Sequence, residues 1–459
     1  MVFSPSLFIL IPMGISTRKK VICHTFGCRL NQYETEKMAA ELRPFGFDRV
    51  SEAESADLYL INTCTVTHRA DRDCRNYIRK AAQNNPNARI VVAGCYVDYD
   101  PNNVAAIEGV DAVVLNAEKD AIAKILPTRI PDLFNDEPDK NCSTMVTDFF
   151  ERNRAWLKIS DGCNQWCSFC IIPKVRGRLR HRPVSEIISE INELVEHGYK
   201  EIVLTGVNIG YYYDRVGQLR AKNLAELCRL IFVHTDLYRL RLSSIESQTI
   251  GPDLLEVYAS ANGRFCRHFH IPMQSGSSRI LELMQRPYDR DAYVRRLELV
   301  KQAKPNTIIG GDVIVGFPGE TEEDFAETKS LAESGLLDYL HVFSYSDRQG
   351  TIADGISKKV DPFIIRKRSA QLNDVSNKIR KLAHERQIGQ VLEVIPQHKS
   401  NPEGDRWGVA DNFLKVKVPD AVDCKKALVN VRVSLAHGDF VEGEIVPTSE
   451  RTLEQLAGS

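Results

Sequence analysis

Between Lys19 and Asn116, short apolar runs alternate with longer amphipathic ones. KKVICHTF, LYLINT near residue 60, RIVVAG near 90 and DAVVLN near 112 read as strands. NQYETEKMAAELRPFG and DCRNYIRKAAQNN read as helices between them. This alternation predicts a parallel, doubly wound sheet. Residues 127–151 are rich in Pro, Asp and Asn, lack a period and read as a linker. A second series starts at Trp156, with strands AWLKIS, EIVLTG (201–206), RLRLSS (239–244), HFHIPM (268–273), IIGGDVIVG (308–316) and YLHVFSYS (339–346). Ser185 and Gly198 bracket one of the intervening helices, whose Ile187, Ile188, Ile191, Leu194 and Val195 share a face. Six strand–helix units predict an open (β/α)6 relative of the (β/α)8 barrel. A charged helix over about 361–388 follows. From Gly389 the helical period disappears, and VLEVIP, FLKVKV and LVNVRV predict a small antiparallel, OB-like β-barrel. The organisation expected is therefore α/β: an extension (1–17), a doubly wound domain (18–126), the linker, an open barrel domain (152–388), a small β-barrel (389–449) and a tail (450–459).

The chain has 459 residues, 43% hydrophobic and 26% charged, enough for several domains with ordinary buried cores. Its net charge of −1 gives no global basic field, so any nucleic-acid contact must come from a local patch. No run is long enough to span a membrane. The apolar start, MVFSPSLFILIPMGIS, lacks the positive leader and small-residue cleavage site of a secretory signal and reads as a disordered extension. A cytoplasmic protein is expected. Twelve cysteines then point to metal or redox chemistry before disulfides.

Six of those cysteines form two trios. Cys163, Cys167 and Cys170 have C-x3-C-x2-C spacing in DGCNQWCSFC, with no fourth cysteine nearby. Zinc sites usually pair one C-x2-C with another or with a histidine pair, whereas iron–sulfur clusters are held by thiolates. Three thiolates on a four-iron cluster leave one iron open to a small-molecule ligand. The trio follows AWLKIS, at the strand-end face where barrel active sites sit. Cys28, Cys64 and Cys95 each follow an apolar strand of the first domain. In a parallel sheet those strand ends share one edge, where ligands bind. Glycine precedes Cys28 and Cys95, as a tight turn beside a bulky group requires. Cys23 and Cys228 fit core packing better.

The runs GCRLNQYETE, INTCTV, AGCY, DGCNQWCSFCIIPKVRGRLRHR, IVLTGVNIG, RLSSIES, HIPMQSGS and DVIVGFPGET together resemble the radical S-adenosylmethionine methylthiotransferases, from Lys19 to about Val446. HTFGCRLNQYETE and INTCTVT most resemble the branch acting on threonylcarbamoyladenosine in tRNA. Other branches act on isopentenyladenosine in tRNA or on an aspartate of a ribosomal protein. The resemblance implies a radical SAM barrel, a C-terminal TRAM domain and two [4Fe–4S] clusters, one on each cysteine trio. It implies reductive cleavage of S-adenosylmethionine at the barrel cluster and hydrogen abstraction from C2 of adenosine 37. Sulfur would come from the second cluster and the methyl group from a second S-adenosylmethionine. The implied partners are a tRNA anticodon stem-loop and a low-potential donor such as flavodoxin or ferredoxin.

Around the cofactor, Phe169 can pack on adenine. Thr205 and Gly206 end the second barrel strand, where the family binds the methionine amino group. Ser244 and Glu246 end the third strand, Gln274 ends the fourth, and Gly316 and Gly319 flank a tight turn. Lys174, Arg176, Arg178, Arg180 and Arg182 alternate after the third cluster cysteine, as one basic face toward phosphates or a carboxylate would require. Trp407 and Phe413 are candidates for base stacking. A rival reading is an iron–sulfur protein that binds RNA or carries electrons without radical chemistry.

Overall fold

The computed structural model describes residues 18–400, 406–418 and 427–447. The expected extension (1–17) and tail (450–459) lie outside the described residues.

The first domain is a five-stranded, wholly parallel sheet of β1 (Lys19–Thr25), β2 (Phe47–Val50), β3 (Leu58–Thr63), β4 (Arg89–Gly94) and β5 (Ala112–Val114), in the order β2-β1-β3-β4-β5. Every residue of β3 is buried, as a central parallel strand covered on both faces demands. Met38 and Leu42 of helix Arg29–Leu42 and Leu126 of helix Ile122–Arg129 cover one face; Ile78 of helix His68–Asn84 and Val104 cover the other. The edge strand β2, FDRV, escapes the apolar pattern. Helix Ile122–Arg129 runs through Pro127 into the stretch expected to be linker.

The second domain is the open barrel: β6 (Ala155–Lys158), β9 (Glu201–Thr205), β10 (Arg239–Leu242), β11 (His268–His270), β12 (Ile308–Val315) and β13 (Tyr339–Ser344), with a two-residue ribbon of β7 (Ser160–Asp161) and β8 (Arg180–His181) at its mouth. All six long strands are parallel and follow chain order; bridges Leu240–Phe265 and Ser244–His270 join the halves. Strands β6 and β13 are the free edges, and helix Arg29–Leu42 of the first domain packs against β6. Helix Pro362–Glu385 backs β13, where the Ser376 hydroxyl donates to the Leu340 carbonyl at 2.9 Å.

The third domain is a closed five-stranded barrel of β14 (Val391–Ser400), β15 (Arg406–Ala410), β16 (Lys415–Val418), β17 (Val429–Ala436) and β18 (Val441–Val446) around Leu392, Val394, Val416, Val431 and Val441. Closure removes its sheet edges. No helix among the described residues is long and apolar enough to cross a membrane.

Two buried guanidinium groups of the barrel domain lock it to the first. Arg348, 1% exposed, bonds both carboxylate oxygens of Asp71 at 2.9 Å and the Thr65 hydroxyl at 2.6 Å. Arg176 forms the second lock. Breaking such a pair strands a buried charge, at about 3–5 kcal/mol. Arg348→Leu is expected to lower stability by that amount, read as a lower urea midpoint for the unfolding phase that includes the first domain.

Candidate functional site

The first thiol trio is assembled by strand ends. Cys28 caps helix Arg29–Leu42 directly after β1, Cys64 follows β3, and Cys95 follows β4. Gly27 and Gly94 have φ of +89° and +104°. A Cβ on Gly27 would lie 2.7 Å from Cys64 Cβ, and one on Gly94 2.5 Å from the Thr63 carbonyl. Only glycine lets these chains approach so closely. Cys28 feels the charge of Cys95, and Cys64 that of both. Burial pushes Cys64 up to about 12 and raises Cys28, with the Arg176 cation opposing the rise at Cys28.

The second trio lies at the barrel mouth. Gly162 has φ +73°, and a Cβ there would strike the Arg178 carbonyl, so the loop can fold back on itself only with glycine. Cys163 and Cys167 are buried and Cys170 half-buried. Burial pushes Cys170 up to about 12; it also raises Cys167, against the pull of the Arg286 cation. Thiols whose proton is held this tightly need a nearby cation to reach the thiolate form. An iron cluster supplies that cation, so both donor sets fit one.

Each trio also receives a guanidinium N–H on sulfur. Arg286 Nη1 donates to Cys167 Sγ at 3.1 Å, while the same side chain pairs with Glu246 and bonds the Tyr288 hydroxyl at 3.2 Å. Arg176 Nε donates to Cys95 Sγ at 3.2 Å. Its other nitrogens bond Glu34 at 2.8 Å, Asp161 at 2.9 Å and Asn31 at 2.5 Å. Glu34 is itself 4% exposed and held far below the usual carboxylate range by Arg176 and Lys119, despite burial. Arg176 thus belongs to the barrel domain and serves the other domain's trio. The trios adjoin: Cys95 packs with Ile171 and Val175, directly after Cys170. A cleft at Cys170 is lined by Val66 and Thr67 of the loop after Cys64 and by Phe169, Gln274, Asp312 and Phe343 of the barrel.

The remaining expected residues distribute unevenly. Phe169 packs with Ile280, Met284 and Phe317 while lining the cleft. Thr205 is buried at the end of β9. A Cβ on Gly206 would lie 2.4 Å from Ser160 Oγ. Ser244 bonds His270 Nδ1 at 2.8 Å, and Glu246 takes the Arg286 pair. Gln274 lines the cleft with φ +63°. The basic run does not form one face. Arg176 is buried and fully engaged in the ion network. Arg182 pairs with Glu190 at 2.8 Å. Only Lys174, Arg178 and Arg180 are exposed. Phe413 also departs from expectation, because it turns into the underside of the open barrel, 4.5 Å from the His268 ring. Trp407 lies on the small barrel under Lys415 Nζ, 3.7 Å from its ring centre. Arg286 escaped the sequence reading; an isolated arginine in MQRPY carries no signal of a sulfur partner.

Residues 20–116 match the uncharacterized protein family UPF0004, and residues 157–332 match the Radical SAM superfamily. The threonylcarbamoyladenosine tRNA methylthiotransferase MtaB of Bacillus subtilis is 36% identical over 446 residues, 94% of this chain and 97% of that one. The MtaB of Aquifex aeolicus is also 36% identical, over 82% of this chain and 92% of that one. The chain belongs to the radical SAM methylthiotransferases. A tRNA-2-methylthio-N(6)-dimethylallyladenosine synthase of Thermodesulfovibrio yellowstonii is 30% identical to this methylthiotransferase, over 94% of this chain and 99% of that one. Among solved structures, the radical S-adenosylmethionine methyltransferase TsrM of Kitasatospora setae shares the fold, with a TM-score of 0.52 and 13% identity over 71% of this chain and 75% of that one. Membership brings S-adenosylmethionine and a [4Fe–4S] cluster to this methylthiotransferase.

Hydrogen bonds to cluster sulfurs raise reduction potential, since they stabilise the added negative charge. Arg286→Met removes the donor to Cys167 and a buried positive charge. The barrel cluster is expected to reduce at a more negative potential, read by EPR-monitored titration of the reconstituted protein.

Proposed function

We propose that this enzyme methylthiolates C2 of N6-threonylcarbamoyladenosine at position 37 of tRNA. One [4Fe–4S] cluster would sit on Cys163, Cys167 and Cys170 and another on Cys28, Cys64 and Cys95. The observation that carries the reading is the nearness of the two trios: Cys95 packs against Ile171, the residue after Cys170, and Val66 and Thr67, just after Cys64, line the same cleft as Cys170. Radical substitution needs its sulfur source within bonding reach. When bound, the cofactors supply the radical, the sulfur and the methyl group.

The chain's own residues divide the remaining tasks. Arg286 and Arg176 steady one thiolate in each trio. Phe169, Thr205, Gly206, Ser244, Glu246 and Gln274 surround the cofactor at the barrel mouth. The apolar cleft between the trios keeps water from the reacting carbon. Lys174, Arg178 and Arg180 meet phosphates of the anticodon loop beside the cleft, and Trp407 offers the small barrel a stacking surface. A reduced flavodoxin or ferredoxin supplies the electron. The threonylcarbamoyl substrate follows the relatives named MtaB. The somewhat less similar relatives named for dimethylallyladenosine favour the second reading, an enzyme acting on that nucleoside.

Two experiments test this. Nucleosides of tRNA from a deletion strain are expected to lose 2-methylthio-N6-threonylcarbamoyladenosine and keep its unthiolated precursor; loss of the dimethylallyl product instead favours the second reading. Anaerobically reconstituted protein is expected to bind about eight irons, and Cys28→Ala about four. That variant should still cleave S-adenosylmethionine but yield no thiolated RNA, measured by iron assay and mass spectrometry.

A further inference from the structure

The floor of the open barrel is charged, where such floors are ordinarily packed with aliphatic side chains. Glu201, fully buried, faces three arginines: Arg239 and Arg241 at 2.7 Å and Arg154 at 3.2 Å. Asp411 of the small barrel is occupied by Arg267 at 2.6 Å. Into this surplus of positive charge comes Arg29, the residue after Cys28. It has no hydrogen-bond or ion-pair partner among the described residues and lies over the face of Phe413, its guanidinium 5.2 Å from the ring centre; Arg241 lies 5.4 Å from the same centre. Two fully buried nitrogens beside the half-buried Arg29 lack partners, Arg241 Nη1 and His268 Nδ1, on side chains 0% and 1% exposed. One layer up, toward the mouth, donor atoms of His270, Asp312 and His341 lie within 4.8 Å of one another.

Buried cations in excess and unpaired buried donors are costly unless an anion completes them. Asp312 of that layer lines the cleft at Cys170, and a planar carboxylate suits a guanidinium fork. We infer that the barrel floor is the binding site for the carboxylate of the amino-acid substituent on the substrate adenosine, with Arg29 as its principal ligand and Arg241 Nη1 as a fixed second donor. This rests on the functional reading above and extends it to the choice of substrate. An apolar dimethylallyl group would leave the same donors unpaired.

Arg29 is the residue to change, because its removal orphans no carboxylate. The experiment uses reconstituted enzyme and three synthetic anticodon stem-loops, carrying threonylcarbamoyladenosine, its methyl ester and dimethylallyladenosine. Wild-type enzyme is expected to bind the free acid at least about tenfold more tightly than the ester, the worth of one charge-assisted bond. Arg29→Gln should lose that preference with unchanged iron content and melting temperature, and Arg29→Lys should recover part of it. Equal binding of acid and ester by wild type, or an undiminished preference in Arg29→Gln, overturns the assignment while leaving threonylcarbamoyladenosine as substrate. Turnover of the dimethylallyl stem-loop alone overturns the functional reading, and the carboxylate site with it.

Discussion

The constraint on which this molecule turns is the buried guanidinium of Arg176. One planar group holds Glu34 and Asn31 of the first domain, Asp161 of the barrel and the sulfur of Cys95. A charge so completely enclosed is tolerable only because every direction it points in holds an acceptor. The geometry therefore admits one relative placement of the two domains, and that placement sets the two thiol trios on either side of Ile171. Arg348 repeats the device on the loop after Cys64. The precision of the site comes from these polar locks more than from the apolar contacts between the domains, which are non-directional.

Much of the architecture was legible in the sequence because β-branched runs and helical periodicity carry strong signals. All six long barrel strands lie where the apolar runs stand, and the three strand-end cysteines share a sheet edge as parallel topology requires. Strands β2 and β18, FDRV and VEGEIV, were not legible: β2 is four residues with polar side chains on both sides of the pleat, and β18 carries two glutamates and a glycine in six residues. The basic run misled for a related reason. Alternation in RGRLRHR separates two faces but does not say which face meets water. The same ambiguity hid the barrel floor. RLRLSS reads as a strand with one solvated side, yet Arg239 and Arg241 are both fully buried. In an open barrel the polar side turns toward a lumen, and only the partner strand, with Glu201 in register with Arg239, reveals it.

That polar lumen explains the role of the small barrel in shaping the active domain. Its turn after β15 sends Phe413, at φ +71°, into the open underside of the strands, where His268, Tyr339 and Arg241 surround the ring. The backbone carbonyls of Val409 and Ala410 accept from Arg239 and Arg241. The third domain thus completes the floor of the second, supplying an aromatic face and acceptors that the barrel strands lack.

The position of Arg176 in the polypeptide has a consequence for biogenesis. Glu34 and Cys95 leave the ribosome before residue 176 does, so in the nascent first domain Glu34 has only Lys119 as its buried cation and the Cys95 sulfur lacks its donor. The bonds that join Arg176 to Glu34, Asn31 and Cys95 can close only after the neighbouring module has been synthesised and docked.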